Sequence, residues 1–259
     1  MELSGTYSHR FAADNSLFFY FGYPGEPALG PAAFMHRASA LDNPSAPLSH
    51  HWLDSTHITF GVATAGFVHD DWKIEVSQFT GREPDQQRFN FDSAKFDSTS
   101  ARLSWNPSAN WSLQASWGYI KSPEQLEPLV NETRLTASAT YVLPLDDDAS
   151  LAATLAFGRK HLTGGTNENA WLLEAEYKPA DLWTIFGRAE SIETEELAPG
   201  PMRTVGEATL GVIRDFRVAD HLTFGVGGSY TFDFIPSPLK ASYGSDPRGT
   251  MLFVRVLAE

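Results

Sequence analysis

The chain has 259 residues, of which 42% are apolar and 13% aromatic, with no cysteine and a formal net charge of −13. The lack of cysteine excludes a disulfide framework and thiolate metal sites, and the negative balance argues against nucleic acid, whose phosphates need a basic surface. No apolar run approaches the roughly 20 residues of a transmembrane helix, so any membrane crossing must be made by strands, whose alternation hides half of the apolar signal from a mean hydropathy of −0.25.

The opening Met-Glu-Leu-Ser-Gly-Thr-Tyr has no basic segment followed by an apolar core, so it does not read as a signal peptide. About thirteen strand candidates follow one another with no convincing helix. The first, residues 3–10, turns at Ala13-Asp14-Asn15 into the second, residues 17–23. Next comes an irregular segment, residues 24–56, rich in Pro, Ala and His. A loop of that length is expected to be extracellular or folded into a lumen. The third strand (57–68) meets the fourth (72–79) across His69-Asp70-Asp71, and a loop over 81–95 leads to a hairpin at 97–122.

That hairpin carries the clearest signal. Ala101, Leu103 and Trp105 alternate with Arg102, Ser104 and Asn106; after a turn at 106–110, Trp111, Leu113, Ala115, Trp117 and Tyr119 alternate with Ser112, Gln114, Ser116 and Gly118. A period of two with an aromatic at each end of the apolar row is the pattern of a strand crossing a bilayer between two headgroup regions. A sandwich strand also alternates, but seldom runs about nine to eleven residues with aromatics at both ends.

The seventh strand (134–143) reaches the eighth (151–159) through Asp146-Asp147-Asp148. In the ninth, Trp171, Leu173, Ala175 and Tyr177 face out and Glu174 and Glu176 face in. The tenth (183–192), eleventh (203–213), twelfth (222–234) and thirteenth (250–257) complete the series. Links are short after odd-numbered strands and long after even-numbered ones, the asymmetry of periplasmic turns and extracellular loops. The sequence therefore predicts an all-β, antiparallel up-and-down transmembrane β-barrel, a single domain over 1–259 with about 12 to 14 strands visible, located in the bacterial outer membrane. Bacterial barrels close with an even number of strands, so an odd count implies either missing upstream sequence or a strand hidden in 24–56.

Several side chains acquire expected roles from this frame. Trp105, Trp111, Tyr119, Trp171, Tyr177, Trp183 and Tyr230 are the expected membrane girdle. Lys73, Glu75, Arg102, Arg134, Glu174, Glu176, Arg188 and Glu190 fall on the polar parity and are expected in the lumen, because Arg or Lys facing lipid at the midplane costs about 2–4 kcal/mol. They either line a pore or interlock as a plug. His36, His50, His51, Asp54 and His57 offer ligands suited to copper or zinc, or hydrogen bonds that fold the loop against the wall. Adjacent histidines in an extended chain point oppositely, so His50 and His51 cannot share an ion without a turn. Glu83, Asp85 and Asp92 are a further carboxylate set, for calcium or for ordinary solvated surface.

The runs Gly22-Tyr23-Pro24-Gly25-Glu26-Pro27-Ala28-Leu29-Gly30-Pro31, Phe34-Met35-His36-Arg37, His50 to Ile58, Gly81-Arg82-Glu83-Pro84-Asp85 and Lys121 to Pro128 resemble a group of Gram-negative outer-membrane β-barrel proteins of unassigned function. The resemblance covers most of the chain and implies further strands ahead of Met1, but no catalytic residue. Pairs such as His161 with Thr163 or His50 with Ser49 occur at chance level, so no enzyme is expected. The expected function is a porin-like channel for small solutes or ions; the alternative is a structural or metal-binding outer-membrane protein with a closed lumen. Expected partners are outer-membrane lipids, the barrel assembly machinery and other membrane-protein subunits, without nucleic acid. No cofactor is expected beyond a divalent metal ion.

Overall fold

The structure, a computed structural model, describes residues 2–87, 89–146 and 149–258. It is all-β. Thirteen antiparallel strands form one sheet in which each pairs with its neighbours in chain order. These are β1 (Ser4–Ala12), β2 (Asn15–Gly22), β3 (Val62–His69), β4 (Trp72–Phe79), β5 (Ser98–Ser108), β6 (Trp111–Ile120) and β7 (Glu132–Asp146). They continue as β8 (Ala149–Leu162), β9 (Asn167–Ala180), β10 (Trp183–Thr194), β11 (Arg203–Ala219), β12 (Leu222–Phe234) and β13 (Arg248–Ala258).

Strands β4 and β12 keep their predicted bounds, and most others extend further than the alternation alone suggested. Strand β3 is the exception, starting at Val62 rather than His57. His57 closes a 3-10 turn, its Nδ1 2.9 Å from the Asp54 carbonyl, and Thr59 pairs with Gly25 in an isolated bridge. The Thr59 N–H and carbonyl thus find their partner in Gly25 of the preceding segment instead of on β2, while the Gly61 carbonyl accepts from the Thr80 N–H. The expectation of no helix gives way to two single turns, α1 (His50–Leu53) and α2 (Lys240–Tyr243). No helix among the described residues is long and apolar enough to cross a membrane.

The links after β1, β3, β5, β9 and β11 are two-residue turns. Asp70 (φ 47°) and His221 (φ 66°) adopt the left-handed region that such turns demand, at a cost that Asp and His tolerate better than branched residues. Of the acidic turn at 146–148, Asp147 and Asp148 lie outside the described residues. Register shifts beside the turns of β1/β2, β5/β6 and β11/β12 are bulges that bend the strand ends.

The chain forms two compact units: Met1–Ala33, His50–Ala139 and Ala156–Asn169 in the first, and Phe34–Ser49, Thr140–Leu155 and Ala170–Glu259 in the second. In the first, Ile74 and Val76 of β4 are exposed while Glu75, Ser77 and Phe79 are buried. In the second, Trp171, Leu173 and Tyr177 of β9 are exposed while Glu174 and Glu176 are buried. Both units thus bury polar side chains and expose apolar ones. That reverses the order of a water-soluble fold, where exposed residues are predominantly polar, and it suits a surface turned to hydrocarbon.

Candidate functional site

The polar row is occupied by residues 23–61, the long segment between β2 and β3. Within the first unit, hydroxyls and backbone fasten it. The Ala28 N–H donates to Ser77 Oγ (2.8 Å), itself 2.7 Å from Thr64 Oγ1; the Gly30 N–H donates to Ser116 Oγ (2.8 Å), itself 2.8 Å from Thr136 Oγ1. Arg102 donates Nη1 to the Gly30 carbonyl (3.1 Å) and Nε to Glu75 (2.9 Å). Leu29 completes a fully buried apolar cluster with Val62, Phe79 and Ile120. Further along, Arg134 donates to Ser55 Oγ (3.0 Å) and Glu132 (2.6 Å), and Lys160 lies 4.1 Å above the Trp52 ring. Gly158 permits that approach: a Cβ there would stand 2.5 Å from the Trp52 carbonyl oxygen.

Within the second unit the fastening is ionic. Arg37 grips Glu174 with Nε–Oε1 at 2.6 Å and Nη2–Oε2 at 3.3 Å, the forked geometry that favours Arg over Lys. Ser39 adds bonds to Glu174 (2.9 Å) and Thr154 (2.7 Å). The Asp42 N–H donates to Glu176 (3.0 Å), and the Asp42 carboxylate pairs with Lys178 (3.0 Å) and Arg255. Glu190 accepts from the backbone of Leu48 and Ser49 and from the Ser49 hydroxyl (2.6 Å), while Arg188 donates to the carbonyls of Ser45 and Ala46.

All eight expected lumen charges are thereby located. Glu75, Arg134, Glu174, Glu176, Arg188 and Glu190 are buried, and Lys73 and Arg102 are half-buried beside Glu75. All seven expected girdle aromatics are exposed; Trp105 stacks on Trp72 at 4.9 Å across the β4/β5 ladder. Sequence reasoning passed over the partners from the segment itself, Arg37, Ser39, Asp42 and Ser49. Their only signal was polar residues within a Pro- and Ala-rich loop too long to be a mere link.

Beside the segment in the first unit lies a cleft of about 340 Å³, lined among others by Glu2, Tyr20, Glu26, Glu75 and Arg102. Burial pushes the Glu26 carboxyl up to about 7; Arg102 opposes that shift, and Asp54, Glu2 and Glu75 reinforce it. A smaller cavity, about 220 Å³, is lined by Glu83, Asp85 and Asp92 together with Arg82 and Lys95. Asp85 and Asp92 accept backbone N–H bonds of their own loop, from Gln87 and Asp85 respectively.

Of the histidine set, α1 and the turn after it gather His50, His51, Asp54 and His57. His50 Nδ1 is 2.6 Å from Asp54 Oδ1, and the His50 ring lies 5.1 Å from that of His57 and 5.6 Å from that of His51. His36 ends the 3-10 turn Phe34–His36 and belongs to the second unit. Among the described residues, His51, Glu83 and Glu124 are the group of three His, Asp or Glu side chains whose candidate ligand atoms lie within 4.8 Å of one another.

No protein-family model and no curated protein matches the chain. Among solved structures it is similar to Salmonella typhi OmpF in complex with daunomycin (10% identity, TM-score 0.58, 99% of this chain and 89% of that one). It is likewise similar to the anion-selective porin from Comamonas acidovorans (10%, 0.57, 100% and 89%) and to a loop-deletion mutant of OmpT, an outer membrane protein of Vibrio cholerae (10%, 0.51, 98% and 90%). At that identity the likeness carries the fold alone, and the fold is that of the outer-membrane β-barrels. The bacterial outer membrane is the location expected of it, and the exposed apolar rows are the surface such a fold turns to lipid.

Proposed function

We propose that this protein is a non-enzymatic outer-membrane channel for small solutes or ions, narrowed by residues 23–61. The observation that carries this reading is the reversal of polarity. A buried face built from Glu, Arg, Ser and Thr is suited to water and ions, and the segment lying on it covers part of that face without converting it to a hydrocarbon core. Of the four charged side chains lining the cleft in the first unit, Glu2, Glu26 and Glu75 are acidic and Arg102 is basic. That balance favours cations. Lipids of the outer membrane and the machinery that inserts barrels are the partners this reading requires; it leaves room for association with other membrane-protein subunits.

Reconstitution in planar bilayers tests it. The parent protein is expected to give discrete conductance steps, with a reversal potential shifted toward the cation in a salt gradient. The second reading, a structural protein with a closed lumen, is favoured by the apolar cluster of Leu29, Val62, Phe79 and Ile120, which excludes water where it forms. Absence of current from both the parent and a variant with residues 34–49 replaced by a short Gly-Ser linker would sink the channel and leave the closed lumen standing.

A further inference from the structure

We propose that His51, Glu83 and Glu124 form a binding site for one divalent transition-metal cation, with Zn²⁺ the best match. Three separate parts of the chain deliver the ligands: α1, the loop between β4 and β5, and the loop between β6 and β7. His51 Nδ1 stands 3.7 Å from Glu83 Oε1 and 3.8 Å from Glu124 Oε1. Donor atoms around a tetrahedral zinc with bonds near 2.0–2.1 Å are about 3.3 Å apart. For the two His51–carboxylate pairs the gap from that spacing is a few tenths of an ångström, and all three ligand atoms lie within 4.8 Å of one another, within the reach of side-chain rotation.

The two loops are tied together independently of any ion. The Glu83 N–H donates to the Pro123 carbonyl (3.1 Å), Arg82 Nε donates to the Ser122 carbonyl (2.7 Å), and the Ser122 N–H donates to Asn131 Oδ1 (3.2 Å). Gly81 allows the approach, since a Cβ there would meet the Lys121 carbonyl oxygen at 2.5 Å. The carboxylates are therefore held near each other by backbone. His51 is positioned by the helical turn and by its edge-on contact with His50, which is itself engaged by Asp54.

One imidazole with two carboxylates is a borderline donor set that suits zinc and discriminates against calcium and magnesium, which prefer all-oxygen cages.

Calorimetric titration of the folded full chain in detergent with ZnCl₂ tests the site directly. One equivalent is expected to bind, more tightly at pH 8 than at pH 6 because metal ligands bind in their deprotonated forms. Loss of even a supporting partner typically weakens metal affinity about 10- to 100-fold, so His51→Ala and Glu124→Gln should each cost at least about tenfold. His57→Ala, which removes no ligand, should leave the affinity unchanged. Glu124 is exposed, so Glu124→Gln keeps the test sound if His51→Ala misfolds. No heat with the parent, or equal affinity in parent and Glu124→Gln, would overturn the site; displacement by equimolar CaCl₂ would overturn its assignment to a transition metal.

Discussion

Residues 24–33 and 34–49 are consecutive stretches of one inward segment, yet they are fastened by different chemistry. The first has one ionisable side chain, Glu26, and is held by hydroxyl groups of the strands, by the Arg102 guanidinium on the Gly30 carbonyl and by Leu29 in its apolar cluster. The second carries Arg37 and Asp42 and meets Glu174, Glu176, Glu190, Arg188 and Arg255. Neutral hydrogen bonds contribute about 1 kcal/mol each, and leaving one buried partner unsatisfied costs about 1–3 kcal/mol. A buried ion pair contributes little net, but is severe to break because the surviving charge is left without a partner. The first stretch should therefore weaken gradually under mutation, and the second should fail abruptly.

The largest effect is expected from Arg37→Ala. The Arg37 and Glu174 side chains are only 2% and 1% exposed, so an orphaned Glu174 should destabilise the fold by about 3–5 kcal/mol, read by denaturant unfolding in micelles. Restoring much of that loss with Arg37→Ala/Glu174→Gln would show that the unpaired charge, not the lost contact, is responsible. A loss under about 1 kcal/mol for the single variant would erase the distinction between the two stretches.

Leu29→Ala comes next. Truncating a fully buried leucine costs about 2–5 kcal/mol, depending on how far the cavity collapses, and the same unfolding measurement should place it at or below Arg37→Ala. Ser77→Ala should cost about 1–3 kcal/mol, since it leaves the buried Ala28 N–H without its acceptor. If Ser77→Ala exceeded Arg37→Ala, the comparison would be reversed.

The last effect concerns pH. Glu26 is raised from 4.5 to about 7 in the folded state, so the folded protein holds the extra proton between those values. Its contribution to stability is fully present below about pH 4.5 and is lost as pH rises through 7. Stability of the parent should decline across that window, and Glu26→Gln should flatten part of the slope. The same ionisation should increase cation preference in bilayers between pH 6 and 8, a change Glu26→Gln would remove.

Much of the fold was legible because it is local. Alternation of Trp117 and Tyr119 with Ser116 and Gly118 follows from strand geometry, and composition marks the turn at 69–71 and the long loop at 81–95, whereas the eleventh strand, expected to end at 213, runs on to Ala219. The bounds of β4 and β12 needed nothing else. The start of β3 was misread because His57 carries the right residue type but is claimed by Asp54, three positions earlier. The histidine cluster was visible as composition, while the direction each ring faces was not.

By itself the sequence determined the succession of strands, their facing and their polarity, since each is set by neighbours one or two residues away, but not where several of them begin and end. Tertiary structure alone decided what the segment between β2 and β3 does. Ala28 meets Ser77 across 49 positions, Arg37 meets Glu174 across 137, and Asp42 meets Arg255 across 213. No periodic pattern encodes a partner at that separation. Which carboxylate receives which arginine, and which acids come to face His51, is fixed only when strand order and register bring them within a few ångströms.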